Sequence, residues 1–155
     1  MSAVLCIALL AASPQERGEL ANFIAGVERT PLLANGNPRK RVGREAGEVV
    51  WLHLEGMTLA ADDFRLIGSL PSLRRLSLLR TNTTDKDLVH LRGLSKLEAI
   101  VLSSTEVSDK AIDELTGLPA LRTCCLGNVL ITPAGIAQLK AHFPKLSLGY
   151  SERQK

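Results

Sequence analysis

Apolar residues recur along the central part of the chain in columns that repeat every 24 positions. Four columns carry the pattern: Val49, Leu73, Leu97 and Leu121; Leu52, Leu76, Ile100 and Cys124; Leu54, Leu78, Leu102 and Leu126; and Phe64, Leu88, Ile112 and Ile136. A fixed period of this length is typical of a chain that stacks copies of one supersecondary unit. The sequence therefore predicts four repeats, at residues 49–72, 73–96, 97–120 and 121–145.

Each repeat changes its apolar spacing half-way along. In the second repeat Leu76 and Leu78 are two positions apart, which is the period of a strand with one face in the core. Leu88, Leu91 and Leu94 then follow at intervals of three, which places them in one stripe on a helix. One repeat is therefore predicted to be a short strand followed by a helix.

The junction between strand and helix carries a signal of its own. Thr84 precedes Asp85, and Ser108 precedes Asp109 one period later. A hydroxyl at the helix start can accept a hydrogen bond from an unpaired backbone N–H, and an aspartate in the first turn suits the helix dipole. We therefore interpret these aspartates as helix-start residues rather than as catalytic or calcium-binding groups. The glycines near the predicted helix ends, where a left-handed residue is expected, are Gly93 and Gly117.

Residues 73–85 read L-x-x-L-x-L-x-x-T-x-x-[ST]-D, and residues 97–109 repeat the pattern with Ile at the fourth position. This pattern resembles the leucine-rich-repeat family. The resemblance implies an α/β fold, a right-handed solenoid with short parallel strands on the concave face and helices on the convex face. It is most similar to a 24-residue bacterial-type subclass with Thr where many members have Asn, and its style is related to the repeats of F-box-type substrate receptors.

The two ends depart from the repeat, as the capping copies of a solenoid do. Residues 1–48 are predicted as an N-terminal segment, with a capping helix over 16–29 and a loop over 35–47, which is rich in glycine and charge. One extra residue is predicted between Leu139 and Leu146. Residues 146–155 are predicted as a capping strand that stops early and a polar tail.

Residues 4–12 form a run of nine apolar residues, far short of the roughly 20 that cross a bilayer as a helix. No membrane span is predicted. Two interpretations stay open: the hydrophobic stretch of a secretory signal, or a buried segment that covers the end of the core. No Lys or Arg precedes the run, and Pro14 follows the small-residue site, which favours the buried segment and a cytoplasmic protein over export.

The strand residues that alternate with the core columns are predicted to face solvent on the concave face. Trp and Arg are among the residue types most enriched at binding hot spots, and this set contains both. The predicted partner-binding residues are Trp51, His53, Glu55, Arg75, Ser77, Leu79, Arg80, Val101, Ser103, Thr123 and Cys125. A second interpretation stays open, in which an N-terminal cap covers Trp51 and the rest is ordinary solvated sheet.

Candidate chemistry changes this picture little. His53, Ser77 and Glu55 share the predicted face, but residues two apart on a strand lie about 7 Å from each other, so no catalytic triad is predicted. No cysteine or histidine spacing matches a metal site, no glycine-rich phosphate loop occurs, and no cofactor or small-molecule site is predicted.

The 19 basic and 16 acidic residues give a net charge of +3, too balanced for a nucleic-acid surface. The basic cluster at residues 39–44 is interpreted as a solvated loop.

The leading hypothesis is therefore a non-enzymatic module that binds another protein through its concave face. The alternative is a substrate-recognition subunit of a ubiquitin-ligase-like or other enzyme complex, which rests on the style of the repeat alone. A hydrolase is the third hypothesis. The family hosts many unrelated binding roles, so the resemblance does not select a partner.

Overall fold

The computed structural model describes residues 14–29, 32–34, 37–39 and 42–153. The apolar run at residues 4–12 lies outside the described residues. The strands are β1 Leu32–Ala34, β2 Asn37–Arg39, β3 Val42–Glu45, β4 Glu48–His53, β5 Arg75–Ser77, β6 Ala99–Val101, β7 Thr123–Val129 and β8 Ser147–Glu152. The helices are α1 Pro14–Arg29, α2 Ala61–Gly68, α3 Asp85–Leu88, α4 Ile112–Thr116 and α5 Pro133–His142, with 3₁₀ turns at Val89–Leu91 and Asp109–Ala111. None of these helices is long and apolar enough to cross a membrane.

Six strands form one sheet in the order β3-β4-β5-β6-β7-β8. The strands from β4 to β8 are parallel, and β3 is antiparallel to β4. Trp51 pairs with Arg75, Arg75 with Ala99, Ala99 with Thr123, and Thr123 with Ser147. The 24-residue period of the sequence is therefore the pairing register of the sheet, because each partner lies one period further along the chain.

The core lies between the sheet and the helices. Leu52 and Leu54 of the first repeat are fully buried, and so are their equivalents in the next repeats. Phe64 and Ile67 of α2 complete the layer in the first repeat, with 1% and 0% of their surface exposed. Burying a side chain of this size contributes about 1.5–3 kcal/mol, so the repeated columns dominate the stability of the fold.

The middle helices are shorter than the sequence pattern suggests, because a 3₁₀ turn follows α3 and another precedes α4. The expectation of left-handed residues at Gly93 and Gly117 is wrong, since the described glycines with positive φ are Gly47 and Gly56. The left-handed positions lie instead at the ends of the strands, again one period apart. They are Gly56, Arg80, Ser104 and Asn128, with φ between 55° and 70°.

Consecutive repeats are joined by aspartate side chains as well as by the sheet. Asp85 accepts hydrogen bonds from the backbone N–H of Ser108 at 2.7 Å and from its hydroxyl at 2.6 Å. Asp109 accepts the same pair of bonds from Thr132, at 2.8 and 2.7 Å. Each aspartate therefore binds the start of the next helix, a role beyond the helix-dipole interpretation. We call these two contacts the aspartate clasps.

The N-terminal segment contributes strands where the sequence pattern predicted a loop. Residues 37–39 pair with β1, and residues 42–45 form a hairpin with β4. The hairpin turns at Ala46 and Gly47, whose φ values are 50° and 87°, as a tight two-residue turn requires. Charged side chains are common on edge strands, which is why the composition of this segment resembled a loop.

Helix α1 covers the same end of the core. Its Ile24 and Val27 are buried, with 3% and 1% of their surface exposed. Glu28 forms an ion pair with Arg44 of β3 at 3.0 Å, which joins the helix to the edge strand.

The last strand is longer than predicted. Ser147–Glu152 has six residues, whereas β5 and β6 have three each. The pairing of Thr123 with Ser147 keeps the period of 24, so the extra residue predicted after Leu139 does not shift the sheet register. The register shifts later, between Gly127 and Val129 of β7.

Candidate binding face of the sheet

The predicted site residues come together on the side of β4–β7 that faces away from the core, which we call the open face. His53, Ser77, Val101 and Cys125 pair in sequence across the four strands. Neighbouring members of such a row are about 4.8 Å apart. The row before it contains Trp51, Arg75, Ala99 and Thr123. The row after it contains Glu55, Leu79, Ser103 and Gly127, at the ends of the strands.

Trp51 lies at the edge of the open face that is closed by the hairpin. A Cβ atom placed on Gly43 of β3 would lie 1.7 Å from the indole Nε1, so the ring covers the bare backbone of that glycine. The Trp51 and His53 rings meet edge to face, with their centroids 5.0 Å apart. Trp51 is therefore half-buried, in contact with β3 and with His53.

Ser77 differs from the expectation of a solvent-facing side chain. Only 9% of its surface is exposed. It lies between His53 and Val101 in the middle row, and these larger side chains flank the short serine on both sides. A partner would reach Val101 and Leu79, which are half-buried, more readily than Ser77.

The two arginines of the open face have different surroundings. Arg80 forms an ion pair with Glu55 at 3.6 Å, although 71% of its side chain stays exposed. Arg75 is exposed and forms no ion pair with any residue in the described part of the chain. Most described arginines are paired, including Arg44 and Arg65, whereas Arg75 has no ion-pair partner among the described residues; it lies two rows from the apolar Leu79 on the same face.

Hydrogen bonds join the ends of the strands along one side of the open face, which we call the polar rim. Ser103 accepts a bond from the backbone N–H of Gly127 at 3.0 Å. The Asn128 side chain donates to the hydroxyl of Ser104 at 3.2 Å. These contacts link the left-handed strand ends of consecutive repeats, and they leave the rim polar.

Two adjacent cysteines lie on opposite sides of β7. Cys124 is buried in the core, and this burial, with a smaller effect of Cys125, raises the pKa of its thiol to about 12. Cys125 is half-buried on the open face, in the same row as His53. Of these two thiols, Cys125 is therefore the one that a partner or a reagent can reach.

A groove that the sequence pattern did not predict lies away from the open face. It has a volume of about 500 Å³ and is lined by Pro119, Arg122, Phe143, Pro144, Lys145 and Leu146, among others. The segments that precede β7 and β8 form it. The sequence feature that could have indicated this groove is the pair of Pro119 and Pro144. These prolines are one period plus one residue apart, and each lies close to a basic residue. Among the described residues, no cluster of three or more His, Cys, Asp or Glu side chains could hold a metal ion.

No protein-family model matches the chain, and no curated protein matches it. Among solved structures, leiomodin-1 actin-binding site 2 is similar, with a TM-score of 0.57 and 11% identity over 90% of this chain and 81% of that one. The PEPR1–AtPEP1 structure is similar with a TM-score of 0.47 and 15% identity over 87% of this chain. This chain spans 25% of that one. The first likeness shows a leucine-rich-repeat-like fold.

Proposed function

We propose that the chain is a non-enzymatic module that binds another protein through its open face. The observation that carries the proposal is that Arg75, which has no ion-pair partner among the described residues, shares the open face with the half-buried Val101 and Leu79, in rows aligned by the sheet. An accessible guanidinium next to apolar side chains is a common composition for a binding hot spot. The similar leiomodin-1 structure is described as an actin-binding site, which supports a role in protein binding for this fold.

The size of the open face limits the kind of partner. Four strands about 4.8 Å apart give a width of about 14 Å, close to the diameter of one helix with its side chains. An ordinary interface buries about 800 Å² on each partner, whereas three rows on these four strands span only about 14 Å by about 13 Å, roughly 180 Å² in projection. The partner is therefore a protein that places one helix or loop on the face and also contacts the polar rim at Arg80 and Asn128.

The proposal includes the finer architecture that the sequence suggested. The chain is a right-handed leucine-rich-repeat solenoid of the 24-residue subclass, in which Thr replaces the more common Asn. Buried Thr81 and Thr105 support this, since their hydroxyls donate to the carbonyls of Leu78 and Leu102 at 2.8 and 2.6 Å. Each threonine closes the turn after a strand, which is the structural task of the residue at this position of the repeat.

Matched variants test the open face. The protein and an Arg75→Glu, Leu79→Ser, Val101→Ser variant are used as bait in extracts of the source cell, and captured proteins are quantified by mass spectrometry. The control variant is Val89→Ser, Leu130→Ser, which removes two apolar side chains that are 43% and 46% exposed outside the open face. We expect a partner that the protein and the control capture equally and that the open-face variant loses.

Equal capture by the open-face variant would contradict the assignment, provided its thermal unfolding matches that of the control. Capture by the open-face variant and loss by the control would move the site to the helical side. The triple variant leaves Trp51 in place, because that side chain supports the hairpin and its removal would confuse binding with stability.

A further inference from the structure

The two arginines of the open face lie along one strand. Arg75 begins β5, and Arg80 lies just beyond its other end. Leu79 is four residues from Arg75, which is at most about 13 Å in extended chain. Between them Ser77 is buried, and its neighbour across the sheet is the half-buried Val101. The surface between the two cations is therefore formed mainly by Leu79 and Val101.

Arg80 has a backbone conformation that favours glycine. Its φ is 55°, and the equivalent residue of the first repeat is Gly56, with a φ of 70°. Glycine adopts this conformation without steric cost, whereas a residue with a Cβ atom is strained there. The side chain retained at this position is 71% exposed and lies 3.6 Å from Glu55. Strained residues cluster at binding sites, so the conformation of Arg80 supports a role for its guanidinium in binding.

The charge of the open face is positive. Arg75 and Arg80 are accompanied by a single acid, Glu55, in residues 51–55, 75–80, 99–104 and 123–128. Glu55 is already paired with Arg80, and Arg75 has no ion-pair partner among the described residues. Complementary potentials steer partners together, and like charges oppose contact. A partner that brings carboxylates to both ends of β5 is therefore complementary to this face.

We propose that the open face binds an amphipathic helix of another protein, with carboxylates that meet Arg75 and Arg80 and apolar side chains that cover Leu79 and Val101; this rests on the proposed function and adds the chemistry of the partner. The face is about 14 Å wide, which accommodates one helix with its side chains. Because the two cations lie along β5, the helix runs along this strand. Carboxylates seven residues apart lie on one side of a helix, about 10.5 Å apart, within reach of both arginine side chains.

A synthetic helix tests this charge pattern. The probe is a capped peptide made helical by lactam bridges on its outer side, with glutamates at its fourth and eleventh positions and leucines at its seventh and eighth. It is titrated into the isotopically labelled full chain and followed by amide NMR. We expect shifts over residues 75–80 and 99–103. The absence of shifts there in the millimolar range of peptide would overturn the proposal.

Two matched peptides test whether the carboxylates make the contact. In the first, both glutamates are exchanged with glutamines of the outer side, so that composition and net charge stay the same. In the second, glutamine replaces both glutamates. We expect each change to weaken binding about tenfold, as the loss of two exposed ion pairs allows. Binding of the parent peptide no tighter than that of the second peptide would overturn the charge contact.

Variants of the chain separate binding from stability. Arg80→Gly removes the guanidinium and relieves the strained backbone, so it should bind the parent peptide more weakly with no lower unfolding midpoint. Ala46→Gly is the matched control, because Ala46 has a φ of 50° in the hairpin turn and carries no charge. Arg75→Gln should also weaken binding, whereas Lys86→Gln, on the helical side, should not. Equal affinity for the peptide in all four variants would overturn the proposal.

Two further variants distinguish an acidic helix from any other occupant of the open face. In the capture experiment, Leu79→Ser, Val101→Ser keeps both cations, and Arg75→Gln, Arg80→Gly keeps both apolar side chains. Loss of the partner by the first variant alone would overturn the acidic helix and leave the proposed function standing, and loss by neither would overturn both. Dimers of the unaltered chain that bury the open face would show a second copy as the occupant and would also overturn the acidic helix.

Discussion

The carboxylate of Asp109 accepts two hydrogen bonds from Thr132, one from the backbone N–H at 2.8 Å and one from the hydroxyl at 2.7 Å. Thr132 is the N-cap residue just before α5, and its hydroxyl in turn accepts a bond from the Gly135 N–H at 3.3 Å. The start of one helix is therefore fixed by a side chain of the preceding repeat. Asp85 and Ser108 repeat this relationship one period earlier.

The aspartate clasps predict a loss of stability when a clasp is removed. Asp85→Ala leaves the Ser108 N–H and hydroxyl without their acceptor, and each such bond contributes about 1 kcal/mol. We expect the free energy of unfolding in urea to fall by about 2 kcal/mol. Asp113→Ala, an exposed aspartate on α4, is the matched control and should change stability by less than about 0.5 kcal/mol. Similar losses for both variants would argue against the clasp.

Gly135 is predicted to be necessary for the second clasp. A Cβ atom at this position would lie 2.3 Å from Asp109 Oδ1, so Gly135→Ala should displace the carboxylate from Thr132. We expect a loss of about 1–3 kcal/mol, as for other overpacked sites. The loss should shrink in an Asp109→Ala background, because the clash is then absent, and a double-mutant cycle measures the difference. Additive losses would contradict the contact.

The single tryptophan makes the contact between hairpin and open face measurable. In Gly43→Ala the new methyl group would overlap the Trp51 indole, so we expect a red-shifted emission and a lower unfolding midpoint. Gly18→Ala is the control, because a Cβ there meets no atom within 4 Å and alanine favours the interior of α1. Gly18→Ala should leave the emission unchanged and raise stability by about 0.5–1 kcal/mol. Unchanged Trp51 emission in Gly43→Ala would contradict the packing.

The two cysteines of β7 should react at different rates. At pH 8.5 a thiol-alkylating reagent should label Cys125 and spare Cys124, since burial raises the pKa of the Cys124 thiol to about 12. Mass mapping of the digested peptide assigns the label, and unfolding in urea should abolish the difference. Equal labelling of both thiols in the folded protein would contradict the burial of Cys124.

The same pKa shift predicts a dependence of stability on pH. The folded pKa of Cys124 lies above the usual value of 9.0, so folding favours the protonated thiol. The stabilisation is complete below about pH 9 and is lost as the pH rises toward 12. Between pH 9 and 10.5 the unaltered protein should therefore lose more stability than a Cys124→Ala variant does.

The register of the sheet could be read from the sequence, and several local contacts could not. The period of 24 aligned Trp51, Arg75 and Thr123 correctly, because one core position in each repeat fixes the side-chain direction of all its neighbours. The burial of Ser77 was missed, because alternation gives the direction of a side chain but not the size of the residues beside it. The hairpin of β3 was missed because an edge strand carries no apolar period.

The aspartate clasps show why the sequence indicated where the helices begin but not which residues the aspartates bind. The Ser/Thr-Asp pair was recognised as a helix start, but the acceptor of each bond lies one repeat away. The first repeat has Ala61 in place of the aspartate, and Thr84 is instead bound by Asp87 of its own helix at 2.8 and 2.7 Å. One period after Asp87 the residue is Ala111, which leaves room for the clasp of Asp85. This change of acceptor, from an aspartate of the same helix to an aspartate of the preceding repeat, becomes visible only when the repeats are stacked.

The most direct test of the open face is site-specific photo-crosslinking. The photoreactive residue p-benzoylphenylalanine replaces Leu79 on the open face in one sample and Val89 on the helical side in another, and both are irradiated with the captured partner present. The account predicts crosslinks to the partner from position 79 and background levels from position 89. Equal crosslinking from both positions, or crosslinks from position 89 alone, would contradict it.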